Sequence, residues 1–184
     1  TYRRFGMEGI QCSFTGIMYV PEESPSDVMA ASKEACNKAR IYMRDVLIVD
    51  QAPITPLWLD FLTVVVNATD FPLNVSRNSI QHQSANKLIQ KQIVRNAIAL
   101  MESMDEDMWR TFHDKYAQNL RMGCHDDEGN RQRLAGLLRY RSLQHEYLGF
   151  DQYMQHYRDT HSADAAAIYV SNGDGPFLER FRKE

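Results

Sequence analysis

No apolar run in this sequence approaches the roughly 20 residues needed to cross a bilayer, so a membrane-spanning role is set aside. Thr1-Tyr2-Arg3-Arg4-Phe5 has neither an initiator methionine nor the apolar stretch of a signal peptide, and reads as an internal piece of a longer polypeptide. A basic excess is also missing. With 21 Lys and Arg against 24 Asp and Glu, the net charge is −3 and the pI about 6.1. Nonspecific nucleic-acid binding needs a strongly basic face to displace counterions, so it is disfavoured, and any anion site must be local.

Cysteine is scarce. Cys12, Cys36 and Cys124 form neither a C-x-x-C pair nor an even disulfide framework and read as free thiols. Cys124-His125-Asp126 has adjacent metal-ligand types but no second pair at finger or helical spacing, so no metal site is expected. The six histidines are scattered, and no motif marks a serine or cysteine nucleophile. Nor is there a glycine-rich phosphate cradle, a carboxylate set for Mg²⁺, or a base placed to activate water.

What is present is ordinary globular material: 184 residues, 43% hydrophobic and 24% charged, enough for one good core or two small ones. From Gly9 to Val20, Ile10, Cys12, Phe14 and Met18 alternate with smaller or polar neighbours, the pattern of a half-buried strand stopped by Pro21. Residues 21–27 are loop chemistry, and the stretch to Ala39 reads as a short helix or an excursion. Ile41 to Asp50 is apolar and β-branched enough for a second strand, sharing a sheet with the first. Thr55-Pro56 supplies a cap and a first-turn proline for a short helix, with Leu57, Trp58, Phe61 and Leu62 on one face. Thr63-Val64-Val65-Val66 favours a strand, because β-branched side chains are restricted at χ1, and residues 67–72 turn the chain.

The next stretch, Leu73-Asn74-Val75-Ser76-Arg77-Asn78-Ser79-Ile80-Gln81, is a polar turn entering a long amphipathic helix. A helix start favours phosphate or carboxylate through its free N–H groups and positive dipole end. Arg77 adds a permanently charged fork that holds phosphate bidentately, and a helix begun by Arg77 carries Gln81 one turn on, facing the same way. On the residues alone, a plain structural role for such an arginine, an ion pair or a capped turn, is the commoner outcome.

From Ser84 to Met104, Ala85, Ile89, Ile93, Ala97, Leu100 and Met104 form a core-facing stripe, with Lys87, Lys91 and Arg95 on the opposite, solvated side. Glu106 to Met122 repeats the pattern with Trp109, Phe112, Tyr116 and Leu120, and Gly123 supplies a stop. Asp126-Asp127 caps a third helix, with Leu134, Leu137 and Leu138 facing inward, that ends near Tyr140. These helices are expected to form one packed layer. Phe150, Tyr153, Met154 and Tyr157 mark a further helix, Ala165 to Ser171 a strand, and Pro176 the start of a last helix after the 172–175 loop. A strand and helix at the end cannot close a sheet alone, so more α/β chain is expected to follow. The fold class is α/β, built as α+β layers.

These motifs together resemble one family. Asp70-Phe71-Pro72-Leu73-Asn74-Val75-Ser76-Arg77 with Gln81 is similar to the D-x-P-L-N-[IV]-S-R…Q signature of the heat-shock protein 90 chaperones. Gly16 to Pro21, Ile41 to Arg44, Leu120 to Gly123, Asn130-Arg131, Leu134-Ala135, Leu137 to Tyr140, Ile168-Tyr169 and Pro176 to Leu178 resemble family motifs in the family's order. The resemblance covers essentially the whole chain and is to the later, larger part of the middle domain. It implies the end of a large α/β subdomain with its catalytic loop over 1–82, a helical linker layer over 83–143, and the start of a small α/β/α subdomain over 144–184. It implies a segment of an ATP-dependent chaperone that assists client folding. Arg77 would act on the γ-phosphate of ATP with Gln81 assisting, and Asn74, Ser76 and Asn78 would be phosphate-loop neighbours.

ATP and Mg²⁺ would be held mainly by a separate amino-terminal nucleotide-binding domain, so the segment alone is expected to be inactive. Implied partners are that domain, client proteins, cochaperones, and a second subunit of a homodimer formed through a carboxy-terminal domain. The implied compartment is cytoplasm or endoplasmic reticulum lumen, with the Leu73-Asn74-Val75-Ser76-Arg77 wording leaning toward the lumenal, endoplasmin-like branch. Two N-glycosylation sequons, Asn67-Ala68-Thr69 and Asn74-Val75-Ser76, would matter only in the secretory pathway.

The sequence also departs from the family. Asn78 stands where glutamate is common, which removes a charge that would orient or partly neutralise Arg77. The excursion after Pro21 lacks the larger apolar residues and the lysine run, which implies weak client holding. Residues 172–175 are shorter than the family's segment. The alternative reading is therefore a catalytically silent interaction scaffold of the same fold.

Overall fold

The computed structural model describes residues 1–9, 13–21, 39–70, 80–142 and 147–161, with the backbone alone at 70 and 80–85. Among these, the elements run from five strands into four α-helices, with a single 3-10 turn between the last two strands. The chain forms two compact units, Thr1–Arg139 and Tyr140–Glu184.

In the first unit, Tyr2–Met7 (β1), Ser13–Tyr19 (β2), Ala39–Met43 (β3), Val46–Ala52 (β4) and Thr63–Asp70 (β5) form a sheet in the order β1-β2-β5-β3-β4. β3 runs parallel to β5, and the other pairings are antiparallel. The expected strand over 9–20 is β2, with Phe14 and Met18 buried as the alternation requires. Ile10 and Cys12 lie outside the described residues. β1 was not legible in the sequence: of its six residues only Phe5 is buried, and pairing with β2 makes it a strand. Phe5 sits directly across from Gly16, and a Cβ on Gly16 would come within 2.7 Å of the Phe5 ring, so the glycine leaves the space that the ring covers.

Two strand expectations change. Ile41 to Asp50 is not one strand but a hairpin, β3 and β4, turning at Arg44 and Asp45 with φ of 46° and 67°. Both central residues have positive φ, as a type I′ turn requires, although neither is the usual Gly or Asn. Asn67 explains it: its Oδ1 accepts the Asp45 N–H (3.2 Å), and its Nδ2 donates to the Asp45 carboxylate (2.7 Å). Residues 67–70, read as a turn, instead continue β5: β2 pairs with the strand as far as Asp70 and β3 as far as Ala68, and Arg44 donates to the Thr69 carbonyl. β5 is the central strand, and Val64, Val66 and Ala68 are fully buried on one face.

The short helix after Pro56 is a 3-10 turn over Leu57–Leu59, with Trp58, Leu59, Phe61 and Leu62 buried and Leu57 exposed. The three expected helices are α1 (Ile80–Glu102), α2 (Glu106–Asp126) and α3 (Arg131–Leu137). In α1, Ile89, Ile93, Ala97 and Leu100 are buried as expected, joined by Val94, Ile98 and Met101, while Lys87, Lys91 and Arg95 are exposed. Met104 falls beyond the helix and is only half-buried.

α2 starts where Asp105 accepts the Met108 N–H (2.8 Å), a side-chain N-cap. It does not stop at Gly123. The glycine lies inside the helix, where it makes room for Trp58: a Cβ there would lie 2.8 Å from the indole. Asp126 is therefore still helical, and Asp127 holds the following turn through the Asn130 N–H (3.1 Å) rather than capping α3. Phe61, Phe112, Tyr116 and Trp109 stack into one aromatic cluster, with Phe61 and Tyr116 centroids 4.6 Å apart. α3 packs on both α1 and α2 and buries Leu134, with Leu138 buried just beyond it; Leu137 is only half-buried.

In the second unit, a backbone bridge between Tyr140 and Leu148 (2.8 and 2.9 Å) brings the Tyr140 and Phe150 rings to 5.0 Å. The expected helix is α4, Phe150–His161. Phe150, Met154 and Tyr157 are half-buried, and Tyr153 is exposed. The expected strand at 165–171, the 172–175 loop, the helix from Pro176, the excursion over 22–38 and Cys36 lie outside the described residues.

Candidate functional site

Arg77, Asn74, Ser76 and Asn78 lie outside the described residues, while Gln81 falls in the first described turn of α1, its side chain undescribed. What the structure defines is the frame on which that stretch hangs. It connects the end of β5, at Asp70, to α1, whose described part begins at Ile80. The frame is fixed at both ends.

On the β5 side, the end of the strand is clamped by its neighbours. The Arg44 N–H donates to Ala68 O (3.0 Å), the Arg44 guanidinium donates to Thr69 O (3.4 Å), and the Thr69 hydroxyl donates to Ser13 O (3.2 Å). With the two Asn67–Asp45 bonds, the β3–β4 turn grips one side of β5 and β2 the other. Sequence reasoning missed Arg44 and Asp45. Their signal was two adjacent charges inside an apolar run, where a continuous buried strand has no use for them.

On the α1 side, the apolar stripe seats the helix, and polar contacts to β1 fix its register. The Arg3 guanidinium donates to Asn96 Oδ1 (3.2 Å), and the Gln92 amide lies 4.0 Å from Met7 Sδ. At the far end Arg133 of α3 forks onto the Glu102 carboxylate (3.0 and 2.7 Å), and this pairing raises the Arg133 pKa. The first described turn of α1 carries no acidic residue.

Next to this frame, Ile41, Tyr42, Met43, Ile48, Val49 and Asn86 contribute to a cavity of about 280 Å³ between the β3–β4 hairpin and α1. Among the described residues its lining holds no carboxylate, imidazole or thiol, and the Tyr42 phenol is its one titratable group. Among the described residues, no three His, Cys, Asp or Glu side chains come together as metal ligands. In the Cys124-His125-Asp126 stretch, burial pushes the thiol pKa up against the opposing pull of Arg131, and the His125 ring pairs with Asp126 (2.9 Å). The described residues therefore offer neither a nucleotide cradle nor a Mg²⁺ carboxylate set. They offer a rigid mount for a loop. No described helix is long and apolar enough to cross a membrane.

The chain matches the family described as Hsp90 protein over residues 1–183. It is 35% identical over 139 residues to an endoplasmin homolog of Caenorhabditis elegans, covering 75% of this chain and 18% of that protein. It is 30% identical over 193 residues to heat shock protein 83 of Leishmania donovani, covering 98% of this chain and 41% of that protein. The fold is similar to the solved middle domain of a Plasmodium falciparum putative heat shock protein, with a TM-score of 0.76 and 26% identity over 99% of this chain and 73% of that one. The chain thus spans less than half the length of either curated relative.

Proposed function

The chain belongs to the heat-shock protein 90 family, as a segment of its middle domain, and we propose that in its parent protein it is the part of a chaperone ATPase that delivers an arginine to ATP held elsewhere. The observation that carries this reading is the mount: the stretch with Arg77 connects a central strand, gripped from both sides, to a helix buried along one face from Ile89 to Met101. Arg77 and Gln81 are the catalytic pair, with Asn74, Ser76 and Asn78 shaping the loop around the phosphates. ATP with Mg²⁺ supplies the transferable phosphoryl group when bound by another domain. Phosphoryl transfer depends on positioning and on neutralising charge that grows on the equatorial oxygens, which a planar guanidinium does well. The clients are polypeptides that the parent helps to fold, and cochaperones regulate the cycle.

A second reading, a catalytically silent interaction scaffold, rests on Asn78, where a carboxylate that would orient Arg77 is absent. ATP turnover of the full-length parent separates the two, with the isolated chain, expected to be inactive, as control. Arg77→Ala should lower turnover while leaving ATP affinity nearly unchanged, because only the transition state needs the guanidinium. An arginine finger typically contributes about 10³ to 10⁵ in rate, and a cycle limited by loop docking would show less. Gln81→Ala should act in the same direction more weakly, and Lys in place of Arg77 should rescue poorly. Turnover untouched by Arg77→Ala, or affinity lost in step with it, would sink the catalytic reading.

A further inference from the structure

His113 of α2 has no part in that chemistry, yet it is buried, only 6% exposed, with its ring 6.1 Å from that of Trp109. Its Nε2 lies 3.1 Å from the backbone nitrogen of Arg139. A backbone N–H only donates, so Nε2 is the acceptor, and the neutral imidazole carries its proton on Nδ1. Arg139 is the last residue of the first unit and follows Leu138, where α3 ends. Its guanidinium turns back onto the Gly136 and Leu138 carbonyls (2.8 and 3.0 Å), so its N–H is the second fastening of the segment, tying the end of α3 to α2.

We propose that His113 is an acid-operated latch on the Leu138–Arg139 segment: neutral, it holds the Arg139 N–H, and protonated, it becomes a donor at Nε2 and lets that N–H go. The charged groups that act on the ring include Arg121 and Asp114 of α2 and Arg139 of the segment after α3. Burial first, then Arg121, with a smaller part from Arg139, hold the imidazole below its usual pKa, and Asp114 opposes them. An added proton therefore meets a desolvated site whose charge Arg121 and Arg139 already oppose, and two N–H groups then face each other. The sign follows from linkage. The folded state binds the proton less well than the unfolded one, so the stability contributed by neutral His113 is complete above the unfolded pKa and is lost as pH falls through the folded one. The Arg139 guanidinium contacts do not titrate in this range, so release is local to the backbone.

The test is amide hydrogen exchange and ¹⁵N–¹H NMR of the intact chain between pH 7.5 and 5, with exchange corrected for its intrinsic pH dependence and the His113 ring followed in parallel. The Arg139 amide should lose about fivefold or more in protection, the scale of one net hydrogen bond, in step with the ring titration, while Leu120 keeps its protection. His113→Gln, which retains a neutral acceptor, should give a flat profile. His113→Phe should give low Arg139 protection at every pH; should it fail to fold, the wild-type and Gln profiles decide alone. Flat wild-type protection while the ring titrates, a ring that stays neutral to pH 5, or the same pH-dependent loss in the Gln variant would each overturn the latch.

Discussion

Gly123→Ala and Gly136→Ala make the same substitution in two helices, and the structure assigns them opposite signs. Helix propensity alone favours alanine at both positions by up to about 1 kcal/mol. At Gly123 the new Cβ would lie 2.8 and 2.9 Å from two atoms of the Trp58 indole and 3.2 Å from a Leu134 methyl. Unstrained carbon contacts begin near 3.5 Å, so the overlap with the ring is about 0.6 Å. The indole is 1% exposed and rigid, and cannot swing aside; the 3-10 turn must move away from α2 instead. Overpacking of this kind costs about 1–3 kcal/mol, and a rigid neighbour puts it at the upper end, so the net loss is about 1–2 kcal/mol. That corresponds to a drop in Tm of roughly 2–8 °C for a chain of this size. At Gly136, exposed in α3, a Cβ meets nothing within 4 Å, and a gain of about 0.5 kcal/mol is expected near the helix end. Urea denaturation followed by far-ultraviolet circular dichroism reads both variants against wild type. A Gly123→Ala variant as stable as wild type, or more so, would refute the claim that indole contact, rather than a helix stop, requires the glycine.

Two further outcomes are expected. Asn67→Ala removes both bonds to Asp45 at a solvent-exposed turn and should cost about 1 kcal/mol in urea titration, since water replaces part of what is lost; no change would mean the turn holds itself. Replacing Lys87, Lys91 and Arg95 together with alanine should shift stability by no more than about 1 kcal/mol, as all three are exposed; a loss several times larger would place them in a network that the helix face does not show.

The stretch with Arg77, which lies outside the described residues, was recognisable from residue identities in order, as a resemblance to the family signature. Its mount was not. The grip on β5 depends on Arg44 and Asp45, which are about 25 positions away in sequence and read locally as part of a strand. Local propensity carries no information about which distant amide will stabilise a positive φ, and here Asn67 does. The same Asn67 heads a sequon, and its amide is engaged with Asp45 in the folded chain.

Periodicity by itself determined the amphipathic helices: a stripe at three- and four-residue steps has one way to bury itself, and Ile89, Ile93, Ala97, Trp109, Phe112, Tyr116 and Leu120 are all inside. The sequence likewise determined β2, since strict alternation flips every side chain if the register slips by one. Only the tertiary structure decided the rest. Tyr2–Met7 became a strand because β2 offered an open edge, residues 67–70 stayed extended because β2 pairs along them and β3 pairs with Asn67 and Ala68, and Gly123 lies inside α2, where Trp58 occupies the space a Cβ would fill. In each case the deciding energy comes from a contact outside the segment itself, and the local residues by themselves allow more than one backbone.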